Sequence, residues 1–320
     1  MRGKIKNKLK NSIFISGMHR SGTSWVSEVL STGGRYIVKD EEIFLPNYPS
    51  KEKPIKIWYE YITSKTEDRY MHYIKGVLSN KYNFINNISI SSTKNEYLKA
   101  FQFKAESIKR RFLYNSNPLI IAEPLGLLSA EWFAKTFNCK MIIMIRHPAA
   151  IISSMKINSI KYKFSKTSSI LAQNNSIKDH MSFLKKQNFF IPESNDIIGQ
   201  GILLWKILYN YVAKIEKIYP SWLFLRHEDL ALNPNKEYKI IFDKLNLPFT
   251  KRTKNKINYL CSELNQNYLS PNEKDKNKRN SKSLVYRWHE ILTNNEIDRI
   301  KTEVSDISNI WFKEDDWCRP

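Results

Sequence analysis

Four short, unbroken apolar runs restrict the fold of this chain more than any other feature: Ile13-Phe14-Ile15, Leu119-Ile120-Ile121-Ala122, Met141-Ile142-Ile143-Met144-Ile145 and Trp222-Leu223-Phe224-Leu225. Each is bounded by polar residues, and runs without alternation suit strands covered on both faces, as in a parallel sheet. Helical patterns lie between them. Trp25, Val26, Val29 and Leu30 follow the first run, Leu127, Leu128, Trp132 and Phe133 precede the third, and apolar residues recur at helical spacing over 202–218. Strand and helix in alternation predict an α/β fold built on a parallel sheet.

The length of 320 residues accommodates one main domain, 1–320, with insertions. Two stretches break the alternation, 46–118 and 158–198, both rich in Lys, Asn and Ser. Connections this long in a compact domain are usually functional or partly helical, and both are read as acceptor-side lid regions. Residues 266–283, dense in Asn and Lys, read as a loop before a last helix, which Thr293-Asn294-Asn295-Glu296 opens as a capping box.

Lys plus Arg number 52 against 31 Asp plus Glu, a net charge of +21. Nucleic acid, a membrane surface or an anionic ligand would each account for such an excess, and so would general Lys usage, because Lys greatly outnumbers Arg. Charge alone therefore selects no function. Cys139, Cys261 and Cys318 are odd in number and far apart, which supports neither a disulfide framework nor a zinc site and makes a reducing compartment the default. The basic stretch 2–10 is followed by too short an apolar run for a signal sequence. No segment reaches the roughly 18 apolar residues of a membrane span. The expected location is cytoplasmic, with peripheral membrane contact left open.

The most specific local feature is Gly17-Met18-His19-Arg20-Ser21-Gly22-Thr23-Ser24, after a predicted strand and opening a predicted helix. N–H groups at a helix N-terminus bind phosphate well. The two glycines have P-loop spacing, but Thr23 stands where the lysine belongs. The 141–145 strand, which in a nucleoside triphosphatase would end in a metal-binding Asp, ends in Arg146. An arginine there repels a metal and welcomes an anion, so the loop is expected to hold phosphate without metal.

Arg20-Ser21-Gly22-Thr23-Ser24-Trp25 resembles the 5′-phosphosulfate loop of the sulfotransferases that use 3′-phosphoadenosine 5′-phosphosulfate (PAPS). Arg146 and Ser154, eight residues apart, resemble that family's 3′-phosphate motif. Ile121-Ala122-Glu123-Pro124, the stretch from Leu225 to Leu230 with Pro234, and Tyr286-Arg287-Trp288-His289 look like recurrent blocks of bacterial members. The resemblance implies a three-layer α/β/α, P-loop-like sulfotransferase fold with a central parallel sheet. It also implies PAPS as donor, adenosine 3′,5′-bisphosphate as product, no metal, and direct sulfuryl transfer to an acceptor hydroxyl.

By that resemblance Ser21, Gly22, Thr23 and Ser24, with Trp25 closing the motif, hold the 5′-phosphate side of the cofactor. Arg20 contacts the bridging oxygen on which charge builds. Arg146 and Ser154 fix the 3′-phosphate, and Arg279 resembles the late basic residue that closes over it. The acceptor proton needs a base. Glu41, 21 residues after Arg20, has the spacing of the glutamate base in similar sulfotransferases of sugars and protein tyrosine. Glu123 stands where cytosolic sulfotransferases carry a catalytic histidine. Glu42 and His180 remain alternatives. His227-Glu228-Asp229 lacks the spacing of a metal box, and His147 reads as a turn residue. Tyr59, Tyr61, Tyr70 and Tyr73 either stack on sugar rings or pack. The implied acceptor is a carbohydrate or glycolipid hydroxyl rather than a phenol, and no nucleic acid is expected as partner. Two other readings stay open, a P-loop nucleotide kinase or other phosphotransferase, and a basic nucleic-acid-binding protein, whose binding would fall steeply with salt.

Overall fold

Alternate residues of the central strands enter two different cores, which is why their sequences read as continuous apolar runs. The computed structural model describes residues 9–46, 53–79, 117–162, 170–173, 191–265 and 277–318, with the isolated positions 97, 98, 101, 102, 105, 108 and 164. Five strands, β1 (Ile13–Gly17), β2 (Ile37–Asp40), β3 (Leu119–Ala122), β4 (Lys140–Ile145) and β5 (Leu223–Arg226), form one sheet in the order β2-β3-β1-β4-β5. Every pairing is parallel. Phe14, Leu119, Ile121, Met141, Ile143 and Ile145 enter one core, while Ile13, Ile15, Ile120, Ile142 and Met144 enter the other, as the two-residue period of a strand requires. Each such side chain, when fully buried, contributes about 1.5–3 kcal/mol.

Helices cover both faces and complete the three layers. On the Ile13 face lie α1 (Thr23–Leu30) and, later in the chain, α6 (His227–Leu232), α7 (Pro234–Lys244), α8 (Lys251–Cys261) and α9 (Ser281–Tyr286). On the Phe14 face lie α2 (Asp68–Leu78), α3 (Ala130–Phe137), α4 (Pro148–Ile157), α5 (Ile197–Ile218) and α10 (Asn294–Ser308). The predicted capping box forms: the Glu296 N–H donates to Thr293 Oγ1 at 3.3 Å, and the Thr293 N–H donates to Glu296 Oε2 at 2.8 Å. Among the described residues no helix is long and apolar enough to cross a membrane.

Two elements differ from the sequence expectation. The edge strand β2 carries only Ile37 and Val38 before Lys39 and Asp40. Lys39 is nevertheless 2% exposed, its ammonium 2.7 Å from the Glu42 carboxylate, and an apolar pattern counts a lysine as surface. The stretch 53–79, part of the insertion read as a lid, is also core. Ile55, Tyr59, Ile62, Tyr70, Ile74 and Leu78 are buried in the Phe14-face cluster. Tyr59 and Tyr70 are therefore packing residues, while Tyr61 and Tyr73 are half-buried.

The register decides where chemistry can occur. Ile15 pairs with both Ala122 and Ile142, Asp40 with Ala122, and Ile145 with Arg226. The C-terminal strand ends therefore lie along one edge, where ligands bind in open parallel sheets. That edge presents the loop 17–22, the turn 41–45, Glu123, Arg146 and His227.

Candidate active site

The loop after β1 is shaped by close packing. A Cβ on Gly17 would stand 2.7 Å from the Met144 carbonyl oxygen and 2.5 Å from Ser21 Oγ, so only glycine lets the loop lie against β4. Gly22 has φ 98° and caps α1, and a Cβ there would stand 2.9 Å from the His227 ring. Gly22→Ala is expected to cost about 1–3 kcal/mol through backbone strain and that clash, measurable as a lowered urea midpoint with an unchanged slope. The Ser21 N–H donates to the Met18 carbonyl at 3.0 Å and closes the turn. The Ser21 hydroxyl is buried with no protein partner. Thr23 is buried, and the Ser24 hydroxyl donates to Asp40 Oδ1 at 3.0 Å. Trp25 lies in the core, its ring centre 5.4 Å from His227 and 5.7 Å from Tyr238.

The two phosphate-type motifs, 126 residues apart, meet through their arginines. Arg20 Nε donates to Ser154 Oγ at 2.9 Å, and the Arg146 guanidinium donates to the Arg20 carbonyl. The backbone of Arg146 is fixed by α5: its N–H donates to the Tyr209 hydroxyl at 2.9 Å, and its carbonyl accepts from Trp205 Nε1 at 3.3 Å. Burial pushes the Arg146 guanidinium down to about 10, Glu228 opposes that, and the cations Arg20 and Arg287 add to it. Arg287 lies in a sequence block already singled out, but its charge acting on Arg146 was not legible there, because convergence of charge from distant parts of a chain leaves no local pattern. Arg279 donates its backbone N–H to the Leu260 carbonyl at 2.9 Å, at the end of α8, and its guanidinium donates to the Lys278 carbonyl at 3.4 Å. A glycine cradle at a helix N-terminus, a buried hydroxyl without a partner and three neighbouring guanidiniums fit a ligand carrying separate phosphate groups.

Three candidate carboxylates occupy different environments. Glu41 follows β2 with φ 54°, its N–H donating to the Ala122 carbonyl at 2.9 Å. Burial raises its carboxyl above the ordinary range, Asp40 adds to the rise, and Arg20 opposes it. Asp40, unnoticed in the sequence because β2 was, is also raised, chiefly by burial. Glu42 pairs with Lys39. Glu123 is 0% exposed, and its two oxygens accept the N–H groups of Ile43 at 2.6 Å and Phe44 at 3.0 Å. His180 lies outside the described residues.

His19, within the glycine loop, is a further residue that sequence reasoning passed over. Its Nδ1 is 2.7 Å from the Tyr59 hydroxyl, whose oxygen also accepts the His19 N–H at 3.0 Å. Burial, with Arg20 adding, pushes the ring down to about 4 and keeps it neutral. The loop is thereby tied to the 53–79 segment. His147 is a buried packing residue, stacked on Trp288 with ring centres 5.1 Å apart and pushed by burial down to about 3. Glu228 Oε1 accepts its N–H at 3.0 Å.

A family model described as "Sulfotransferase domain" matches residues 10–305. No curated protein matches the sequence. Among solved structures, the chain is similar to the sulfotransferase domain from the curacin biosynthetic pathway, at 17% identity over 92% of this chain and 97% of that one, TM-score 0.46. The sulfotransferase domain of the Synechococcus PCC 7002 olefin synthase is 16% identical over 91% and 93%, TM-score 0.44. Mouse sulfotransferase SULT7A1 complexed with PAP is 13% identical over 97% and 89%, TM-score 0.45.

Proposed function

The chain belongs to the sulfotransferase domain family and is a PAPS-dependent sulfotransferase; from that premise we propose that it sulfates a hydroxyl of a carbohydrate or glycolipid, with Glu41 as the base and Arg20 at the leaving group. The observation that carries this reading is the meeting of the Arg20 loop with Arg146 and Ser154 at the sheet edge that also presents Glu41. When bound, the donor supplies the sulfuryl group.

Ser21, Gly22 and Thr23 offer hydroxyl and backbone groups at the start of α1 to the 5′-phosphate, and Arg146 with Ser154 takes the 3′-phosphate. Arg287 supplies a further cation beside Arg146. Arg20 is set to stabilise charge on the departing oxygen, and its effect grows where water is excluded. Glu41, with a raised carboxyl near Arg20, accepts the acceptor's hydroxyl proton. Arg279 and Trp25 stay in this proposal as cofactor-side residues, Arg279 acting from the loop between α8 and α9 and Trp25 from beneath the loop. No metal is assigned a role.

A carbohydrate acceptor is supported by half-buried Trp58, an aromatic of the kind that packs on sugar rings, whose ring centre lies 5.1 Å from His19 of the loop and 6.1 Å from Tyr162. One domain over 1–320 serves the reaction, with parts of 46–118 and 158–198 on the acceptor side. Three free cysteines support a reducing, cytoplasmic setting.

Adenosine 3′,5′-bisphosphate is expected to raise the melting temperature, since saturation at a hundredfold excess over Kd stabilises by about 2.7 kcal/mol. ATP with Mg²⁺ is expected to give a much smaller shift. Equal shifts from the two would overturn the donor assignment. Transfer of labelled sulfate from PAPS into candidate glycans and phenols, read by mass spectrometry, tests the acceptor class, and label in phenols alone would remove the carbohydrate.

A further inference from the structure

The turn that presents Glu41 is held by buried charges from other parts of the chain. Residues 41–45 form a series of bends, opened by Glu41 at φ 54°. Buried backbone groups in such a turn must find partners elsewhere. The N–H groups of Ile43 and Phe44 donate to the two oxygens of Glu123, at 2.6 and 3.0 Å. The carbonyls of Glu42 and Leu45 accept from Lys53 Nζ, at 3.2 and 2.8 Å. The Tyr73 hydroxyl donates to the same Glu42 carbonyl at 3.0 Å.

Glu123 is itself fixed to the central strand. Its N–H donates to the Ile15 carbonyl at 2.9 Å, and its carbonyl accepts from the Ser16 hydroxyl at 2.7 Å. Glu123 and Lys53 are 0% and 1% exposed. Burying a carboxylate and an ammonium is costly, and better-packed apolar residues would often be as stable, so the pair is better explained by geometry than by stability. We propose that Glu123 and Lys53 are positioning residues, which hold the turn that carries Glu41 and so fix its carboxylate without contacting substrate.

This inference rests on Glu41 as the base. The charged groups acting on Glu41 are Asp40 and Arg20, and Glu41 in turn adds to the rise that burial gives the Tyr59 hydroxyl. Those acting on or from Glu123 are Lys53, Glu42 and Tyr73. Burial raises the Glu123 carboxyl and lowers the Lys53 ammonium, while each opposes the other's shift.

The test uses full-length protein with ¹³C-labelled glutamate carboxyls, the Glu41 resonance being assigned by its loss in Glu41→Gln. In Glu123→Gln one of the two acceptor oxygens becomes a donor NH₂, so the present pairing of one oxygen with each N–H is lost. The Glu41 titration is expected to move by about half a pH unit or more, about threefold in its protonation constant. Amide exchange at Ile43 and Phe44 is expected to accelerate by about tenfold or more while the sheet amides stay protected. Lys53→Met, which keeps the buried stem, is expected to move Glu41 as well and decides the matter if Glu123→Gln does not fold. A role in stability alone would lower the melting temperature and leave the Glu41 titration where it was, and that result overturns the proposal. Failure of the base assignment is read separately: Glu41→Gln would then keep its turnover whatever the titration shows. Retained turnover in Glu41→Gln with turnover lost in Glu123→Gln would make Glu123 the base and overturn both.

Discussion

Replacing Glu41 by Gln is expected to lower kcat for sulfuryl transfer by about 10²–10⁴-fold, the usual contribution of a positioned base, while the melting shift given by adenosine 3′,5′-bisphosphate is retained. Gln keeps the shape and loses the capacity to take a proton. A general base must be deprotonated to act, so the wild-type rate rises with pH through the Glu41 pKa. Burial and Asp40 raise that pKa above the ordinary carboxylate value, against the pull of Arg20, which places the acid limb of kcat above the unperturbed glutamate range. In Asp40→Asn one of the two raising influences is gone, and the limb moves to lower pH. If Glu41→Gln keeps its turnover, the role passes to Glu123.

Arg20→Met should give a loss of comparable size by a different route. Removing one preorganised donor from a developing negative charge typically costs about 10²–10³-fold in kcat. Arg20 also donates to Ser154 and lies beside Arg146, so donor affinity falls too, but by less than kcat if the guanidinium acts mainly in the transition state. Single-turnover rates at saturating PAPS, set against the bisphosphate Kd, separate the two effects. Equal losses in both would reduce Arg20 to a binding residue. Arg146→Met is expected to show that second pattern, because Arg146, the residue after β4, is assigned to the 3′-phosphate rather than to the oxygen that leaves.

The glycine loop was legible in the sequence because its constraint is local. Gly17 and Gly22 are dictated by contacts and a backbone angle that only glycine accommodates, and they sit between a strand and a helix that announce themselves by pattern. Arg146 and Ser154 were legible for the same reason, being one strand end and one position on the helix that follows. The strand β2 was hidden because a buried lysine sits in it, neutralised by Glu42. With β2 hidden, Asp40 and its bond from Ser24 could not be placed. Glu123 drew notice as a strand-end acid, but its two bonds reach backbone N–H groups 79 and 80 positions earlier in the chain. Backbone groups carry no sequence signature. The link from His19 to Tyr59 spans 40 residues and was invisible likewise.

Lys53 and Tyr73 reach the carbonyls of the Glu41 turn from the same stretch of chain whose neighbouring residues are expected to meet the acceptor. If Glu41 is the base, as proposed, acceptor preference and proton transfer are not separate modules. A chimera that exchanges the whole of 46–118 for a relative's sequence replaces the supports of its own base along with the acceptor surface, and should lose rate even where it binds the new acceptor. Splicing beyond residue 79, so that Lys53, Tyr73 and the remainder of α2 stay native, leaves those supports in place. On the same proposal, a change of acceptor contacts within 53–79 is expected to keep rate only where the Lys53 ammonium and the Tyr73 hydroxyl are preserved.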